Sequence, residues 1–448
     1  MASQTLALHA DWIVPIVPAN VCLENHTLVI QGNIIKNILP TSDWNSIKPR
    51  NDVEELFLKD KILIPGLINS HTHAAMALFA NCADDTSFQS WLFDHIWPLE
   101  KQLLCAEFVR DGSELAVAEM LLSGTTCFND MYFFGEETAR VCIEAGLRST
   151  IGMTVINFPS NWGSSAEEYL RKGQAIHDKF KNHPLISTAF APHAIYSVSN
   201  SILSKVAVLA EELDVQIHMH LNESTGEISN SIKETGKTPI QRLAELGILS
   251  DRLVAVHMVE TSDQDIELIN GKGVNIVHCP TSNLKLGCGI APLAKFLNNN
   301  LNISIGTDGS ASNNSLNMLS EVKLASLLAK GTAKDGRILN SFDALEMITI
   351  NAAKSLGLDN QIGSLEKNKL ADIVAIGTNG ICSTPLFKPE NQLISRGGQN
   401  KVTDVWVNGK RVVENEKILT LDVQNIIRKT KRWENSIKKL FELGFDKT

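Results

Sequence analysis

Runs of lysine and arginine, Cys-x-x-Cys pairs, apolar stretches of the roughly 20 residues that cross a bilayer, fixed-period repeats and low-complexity segments are all missing from this sequence. Each absence removes a class. Without a basic cluster, and at a net charge of -9, the chain offers no surface suited to nucleic acid or to a membrane. Met1 to Trp12 hold no basic segment followed by an apolar core, so a cytoplasmic protein is expected. The eight cysteines (Cys22, Cys82, Cys105, Cys127, Cys142, Cys279, Cys288 and Cys382) are scattered in apolar settings and read as reduced core thiols, none of them a ligand. These exclusions leave a small molecule as the partner.

At 448 residues the chain is longer than a single core usually supports, so one large domain and one smaller one are expected. Both ends are rich in short strand patterns: Ala7 to Pro15, Thr27 to Gln31 and Ile34 to Leu39, then Asp372 to Ile376 and Val402 to Val413. Within the last, Asn408-Gly409 between two β runs is a strong hairpin signal. A composite β-sandwich from residues 1–64 and 359–420 is the expectation, with a barrel over 65–358 and a carboxy-terminal helix in 421–448 that spans about Val423 to Leu443.

The middle of the chain alternates strand-like and helix-like runs. The strands are Ile62 to Ser70, Thr125 to Asp130, Arg148 to Val155, Ile186 to Ala191, Val215 to Leu221, Leu253 to His257, Val274 to His278 and Ile303 to Thr307. Helical spacing recurs between them, as in Ser201 to Leu213 and Asp263 to Gly271. Eight alternations predict an α/β fold, a parallel (β/α)8 TIM barrel, with a doubly wound open sheet as the alternative.

Catalytic residues of such barrels gather at the carboxy-terminal ends of the strands. Polar residues stand there: His71 and His73 on the first strand, Asp130 on the second, His193 on the fourth, His220 with Glu223 on the fifth, His257 on the sixth, His278 on the seventh and Asp308 on the eighth. Two residues apart on a strand, His71 and His73 face the same way. With His220 and Asp308 they can supply imidazoles and a carboxylate to one divalent cation, whose water loses a proton near neutral pH. Glu223, three residues beyond His220, is the first candidate for moving protons, and His257 the second.

Other residues have quieter readings. His278 reads equally as a hydrogen-bonded core histidine or as a functional one; His218 reads as structural, and Asp130 as a cap for the segment that follows it.

Four segments carry a resemblance. Pro65-Gly66-Leu67-Ile68-Asn69-Ser70-His71-Thr72-His73, His220-Leu221-Asn222-Glu223, His278-Cys279-Pro280-Thr281-Ser282-Asn283-Leu284-Lys285-Leu286 and Gly306-Thr307-Asp308-Gly309-Ser310-Ala311-Ser312-Asn313-Asn314 resemble the amidohydrolase superfamily. Within it they are similar to the branch of 5-methylthioadenosine/S-adenosylhomocysteine deaminases and triazine hydrolases, over about Leu6 to Leu419. The resemblance implies one zinc, or iron or manganese, on His71, His73, His220 and Asp308, with Glu223 and His257 handling protons and Asp308 touching the attacking water. It also implies that Glu100, in Trp97-Pro98-Leu99-Glu100, holds ribose hydroxyls and that His193, in Ala191-Pro192-His193, contacts the purine, with Glu223 and Asp308 completing the substrate contacts. Two-metal relatives carry a carboxylated lysine at the end of the fourth strand, and none stands here. Relatives form dimers or tetramers, so a homo-oligomer is implied.

One departure bears on the substrate. Some members carry arginines after the third strand, suited to the homocysteine carboxylate, whereas Gly152-Met153-Thr154-Val155-Ile156-Asn157-Phe158 has none, and only Arg148 and Arg171 flank it. The implied reaction is therefore hydrolytic deamination of the adenine ring of 5'-methylthioadenosine, ahead of S-adenosylhomocysteine. The rivals are another hydrolase on this scaffold, such as a guanine or cytosine deaminase or a chlorotriazine hydrolase, and a barrel that only binds partners.

Overall fold

The apolar run that begins at Ile62 does not continue as one strand. In the structure, a computed structural model that describes residues 5–48 and 53–443, the strand Val53–Pro65 ends in a sheet built from both chain ends. The first barrel strand starts afresh at Leu67 and runs to Thr72. Between them Gly66 passes so close to the second barrel strand that a Cβ would lie 1.9 Å from Thr126 Oγ1. Hydrophobic periodicity carries across this junction, which is why Ile62 to Ser70 reads as a single element.

The barrel strands are Leu67–Thr72, Thr125–Tyr132, Arg148–Val155, Ile186–Pro192, Ile217–Leu221, Leu253–His257, Asn275–His278 and Asn302–Ile305, parallel and adjacent in chain order. Helices cover their outer faces, so the strands are almost wholly buried and read as continuous apolar runs. The expected helices appear as Asn200–Leu213 and Asp263–Ile269, the second opened by a reciprocal capping box between Ser262 and Asp265. The eighth and first strands meet without a regular ladder. Asn69 spans that seam, donating from Nδ2 to Thr307 Oγ1 at 2.7 Å and accepting the Thr307 N–H at 3.0 Å, and the Asp308 N–H donates to the His71 carbonyl.

The chain ends form one eight-stranded sheet that curls over on itself. Two of its turns touch: Asn33 Nδ2 donates to Asn408 Oδ1 at 2.9 Å, and the Ala371 N–H donates to the Asn33 carbonyl. The curl encloses Leu8, Leu28, Ile35, Leu63, Ile373 and Trp406. Asn408 and Gly409 both take positive φ, 50° and 75°, as a tight hairpin turn of this hand requires. A buried ion pair ties sheet to barrel: Arg148 Nε and Nη2 donate to the two Asp372 carboxylate oxygens at 2.9 and 3.2 Å.

The helix Val423–Leu443 lies on the helix Ala106–Leu122, with Trp433 Nε1 donating to Asp111 Oδ2 at 2.9 Å. Its Trp433 and Ile437 pack in one cluster with Trp91, Ile96 and Leu99 from the long excursion after the first barrel strand. Among the described residues no helix is long and apolar enough to cross a membrane. The cysteines are all unpaired, yet Cys105 and Cys382 are exposed rather than core thiols; Cys105 caps a helix, its sulfur accepting the Phe108 N–H.

Candidate metal centre and substrate cavity

His71, His73, His220 and Asp308, distant in sequence, come together at the carboxy-terminal rim, each offering one ligand atom within 4.8 Å of the others. Backbone closure across the seam brings Asp308 to the two strand-one histidines. Gly306 permits it: a Cβ there would stand 2.8 Å from the His71 Cβ and 2.9 Å from its backbone N and O. Asp308 itself holds φ of +61°, a left-handed conformation uncommon for a side-chain-bearing residue and kept by its surroundings.

The second nitrogen of each imidazole is engaged elsewhere. His73 Nδ1 donates to the Met131 carbonyl at 2.5 Å, and His220 Nδ1 to the His193 carbonyl at 2.8 Å. His71 Nδ1 shares a 2.8 Å hydrogen bond with His218 Nε2. All three rings therefore have Nε2 left for the centre, and His71 and His73 bring it to 3.1 and 3.3 Å from Asp308 Oδ1. Burial lowers the pKa of His71 and pushes His220 well below its usual value, so both rings offer lone pairs at neutral pH. Burial alone would raise the Asp308 carboxyl, but the adjoining His71 and His73 hold it well below the usual range. Three imidazole nitrogens and one carboxylate oxygen, each ring fixed from behind, make a donor set that fits one divalent cation.

Two further candidates flank this cluster. Glu223 Oε1 lies 3.7 Å from His257 Nε2. Burial, with the nearby charges of Asp308 and Glu227, raises the Glu223 carboxyl well above its usual pKa. His257, also at positive φ (79°), receives a hydrogen bond on Nδ1 from the Asn283 amide at 2.9 Å, which leaves the proton on Nε2. Its pKa falls to about 3 through burial, so the ring is neutral.

The rim opens into a cavity of about 450 Å3. Glu100, on the helix Trp97–Leu103, lines it and accepts the Tyr132 hydroxyl at 2.7 Å; burial raises its carboxyl to about 7. His193 lines it too and is neutral, pushed to about 3 by burial. The outer wall is apolar, with Trp91, Ile96, Trp97, Ile156 and Phe158 among its members, and Trp91–Ile96 is a π-helical turn, a form that gathers at functional sites. Lys101 lines the cavity and, among the described residues, no arginine does. Arg148 is committed to Asp372 at the far end of its strand, and Arg171 is exposed beside Glu168.

Several supporting residues escaped the sequence reading. Ser282 and Ser312 each donate from Oγ to Asp308 Oδ2 at 2.7 Å, and the Gly309 N–H donates to Oδ1 at 2.8 Å. Both serines stood inside the quoted motifs, but loop hydroxyls carry no periodic signal. Asp130 caps a different segment from the expected one: it accepts the Ala74 N–H at 2.8 Å, holding the turn just after His73. His278 is buried, and neither ring nitrogen has a partner among the described residues, unlike the hydrogen-bonded core histidine considered from the sequence.

Residues 62–412 match the model of the amidohydrolase family. A 5-methylthioadenosine/S-adenosylhomocysteine deaminase of Teredinibacter turnerae is 43% identical, the match covering 96% of this chain and 97% of the relative. The enzyme of that name from Saccharophagus degradans is 45% identical, with 97% of each covered. A 5'-deoxyadenosine deaminase of Methanobrevibacter smithii is 37% identical over 91% of this chain and 94% of its own length. Among solved structures, an adenosine deaminase from Xanthomonas campestris with bound zinc superposes with a TM-score of 0.94 at 39% identity, covering 97% of this chain and 99% of that one. The chain belongs to the amidohydrolase family, in the branch that contains the 5-methylthioadenosine/S-adenosylhomocysteine deaminases.

Proposed function

We propose that the protein is a cytoplasmic aminohydrolase that converts 5'-methylthioadenosine to 5'-methylthioinosine and ammonia, and takes S-adenosylhomocysteine less well. The observation that carries this reading is the cavity that joins the donors His73, His220 and Asp308, with Glu223 and His257, to the half-buried carboxylate of Glu100 and to an apolar wall without arginine among the described residues. A nucleoside with an uncharged thioether tail matches each part: ring atoms to the rim, ribose hydroxyls to Glu100, the tail to Trp97 and Phe158.

His71, His73, His220 and Asp308 would hold the cation, zinc or a similar divalent ion. When bound, it lowers the pKa of a water and so supplies the nucleophile. Glu223 would carry a proton from the attacking water to N1 of the purine as oxygen bonds to C6, and burial raises its carboxyl, favouring the protonated form that makes the delivery. His257 donates from Nε2 to the incoming oxygen. Asp308 moves the remaining hydroxyl proton to the exocyclic amine, the C6–N bond breaks, and ammonia leaves. His193 orients the purine, and the Glu100 carboxylate accepts from ribose.

Catalytic efficiency on 5'-methylthioadenosine, S-adenosylhomocysteine and adenosine, measured with wild type and with Glu100→Ala, tests this. The expected order places 5'-methylthioadenosine first, and Glu100→Ala costs about 10- to 100-fold, the worth of hydrogen bonds to a charged group. Turnover confined to a free base or a triazine, indifferent to Glu100, would overturn it.

A further inference from the structure

Nothing holds the Glu223 carboxylate directly: among the described residues it forms no hydrogen bond, and the neutral His257 Nε2 stands 3.7 Å away. Its aim is therefore set by its main chain. That main chain is gripped by Glu227, a residue 6% exposed that does not line the cavity. Glu227 Oε2 accepts the Glu223 N–H at 2.8 Å and Oε1 accepts the Asn222 N–H at 3.1 Å.

The local sequence explains how. Ser224 caps the helix Thr225–Thr235, and its hydroxyl accepts the Glu227 N–H. In an ordinary capping box the third helical residue reaches back to the N–H of the cap residue itself. Here it reaches past the cap to the two residues before it. Asn222 takes a left-handed φ of +53°, and its side-chain amide donates to the Glu260 carbonyl at 3.1 Å while its own carbonyl accepts the Glu260 N–H. The segment carrying Glu223 is thus fastened on one side to its own helix and on the other to the loop that follows His257.

We propose that Glu227 is a positioning residue for Glu223, a carboxylate whose task is to fix the two amides that aim the proton carrier. The proposal rests on the role given to Glu223 above. A merely capping Glu227 would affect stability; a positioning one affects the chemical step with substrate binding left intact.

The test compares Glu227→Leu and Glu227→Gln with Glu223→Gln in the zinc-loaded full chain, with 5'-methylthioadenosine as substrate and with amide hydrogen exchange as a readout that needs no turnover. Glu227→Leu is expected to lower kcat about 10- to 100-fold, the effect of misplacing a reacting group by a fraction of an ångström to one ångström, with KM changed less than about threefold and zinc content unchanged. Glu227→Gln, which keeps one acceptor oxygen, falls between, and exchange at Asn222 and Glu223 accelerates in both. Wild-type kcat in the two Glu227 variants, or a loss confined to KM, overturns the proposal. If Glu227→Leu fails to fold, Glu227→Gln carries the same comparison. Unimpaired turnover in Glu223→Gln would instead overturn the role of Glu223.

Discussion

The Asp308 N–H donates to the His71 carbonyl over 3.0 Å, across the seam where the eighth barrel strand meets the first. Two cation donors remote in sequence are thereby fixed by backbone rather than by side-chain adjustment. The seam depends on Gly306, since any Cβ would press on His71. Gly306→Ala should destabilise the protein by about 1–3 kcal/mol, as overpacking does, and lower the metal retained on purification. Thermal unfolding and metal analysis read both; a variant with wild-type values for each would show that the seam tolerates the methyl.

His218 stands behind His71 and shares the 2.8 Å bond to its Nδ1. Removing such a partner from a ligand imidazole typically costs about 10- to 100-fold in metal affinity. His218→Ala should show that loss in competition with a zinc chelator. Unchanged affinity would reduce His218 to packing.

The barrel and the four-donor cluster were readable because their signals are local: a histidine or aspartate stands at the end of an apolar run or a few residues beyond it. His71, His73, His220 and Asp308 all obey that rule. Ser282, Ser312, Tyr132 and Glu227 act through contacts made only when distant segments meet or a loop turns back, as in Tyr132 to Glu100 at 2.7 Å. No spacing announces them. The junction at Gly66 was hidden for the opposite reason, since the last residues of the strand before it and the whole strand after it are buried and the apolar pattern runs through it.

Glu100 has a pH signature. Burial raises its carboxyl to about 7, so it is charged above that pH and protonated below it. Only the charged form offers every oxygen to ribose hydroxyls. KM for the nucleoside should therefore rise as pH falls through about 7, and Glu100→Gln should flatten that limb. A KM independent of pH from roughly one unit below that value to one unit above it would contradict the assignment.

Arg148 and Asp372, buried at the junction of barrel and sheet, belong to stability rather than catalysis. Arg148→Ala leaves the Asp372 carboxylate buried without its partner, and such losses cost about 3–5 kcal/mol. Denaturant unfolding should show this, with kcat of the folded fraction unchanged. A fall in kcat without a loss of stability would place Arg148 in the reaction.

The most direct measurement follows the adenine absorbance of 5'-methylthioadenosine, with ammonia assayed in parallel, on protein stripped by chelator and then reloaded with zinc. Deamination by His71, His73, His220 and Asp308 with one cation predicts no turnover in the stripped protein, recovery on reloading at about one zinc per chain, and one ammonia per nucleoside consumed. Full activity in the stripped protein, or no turnover of 5'-methylthioadenosine by a zinc-loaded protein that hydrolyses guanine, cytosine or a chlorotriazine, would contradict it.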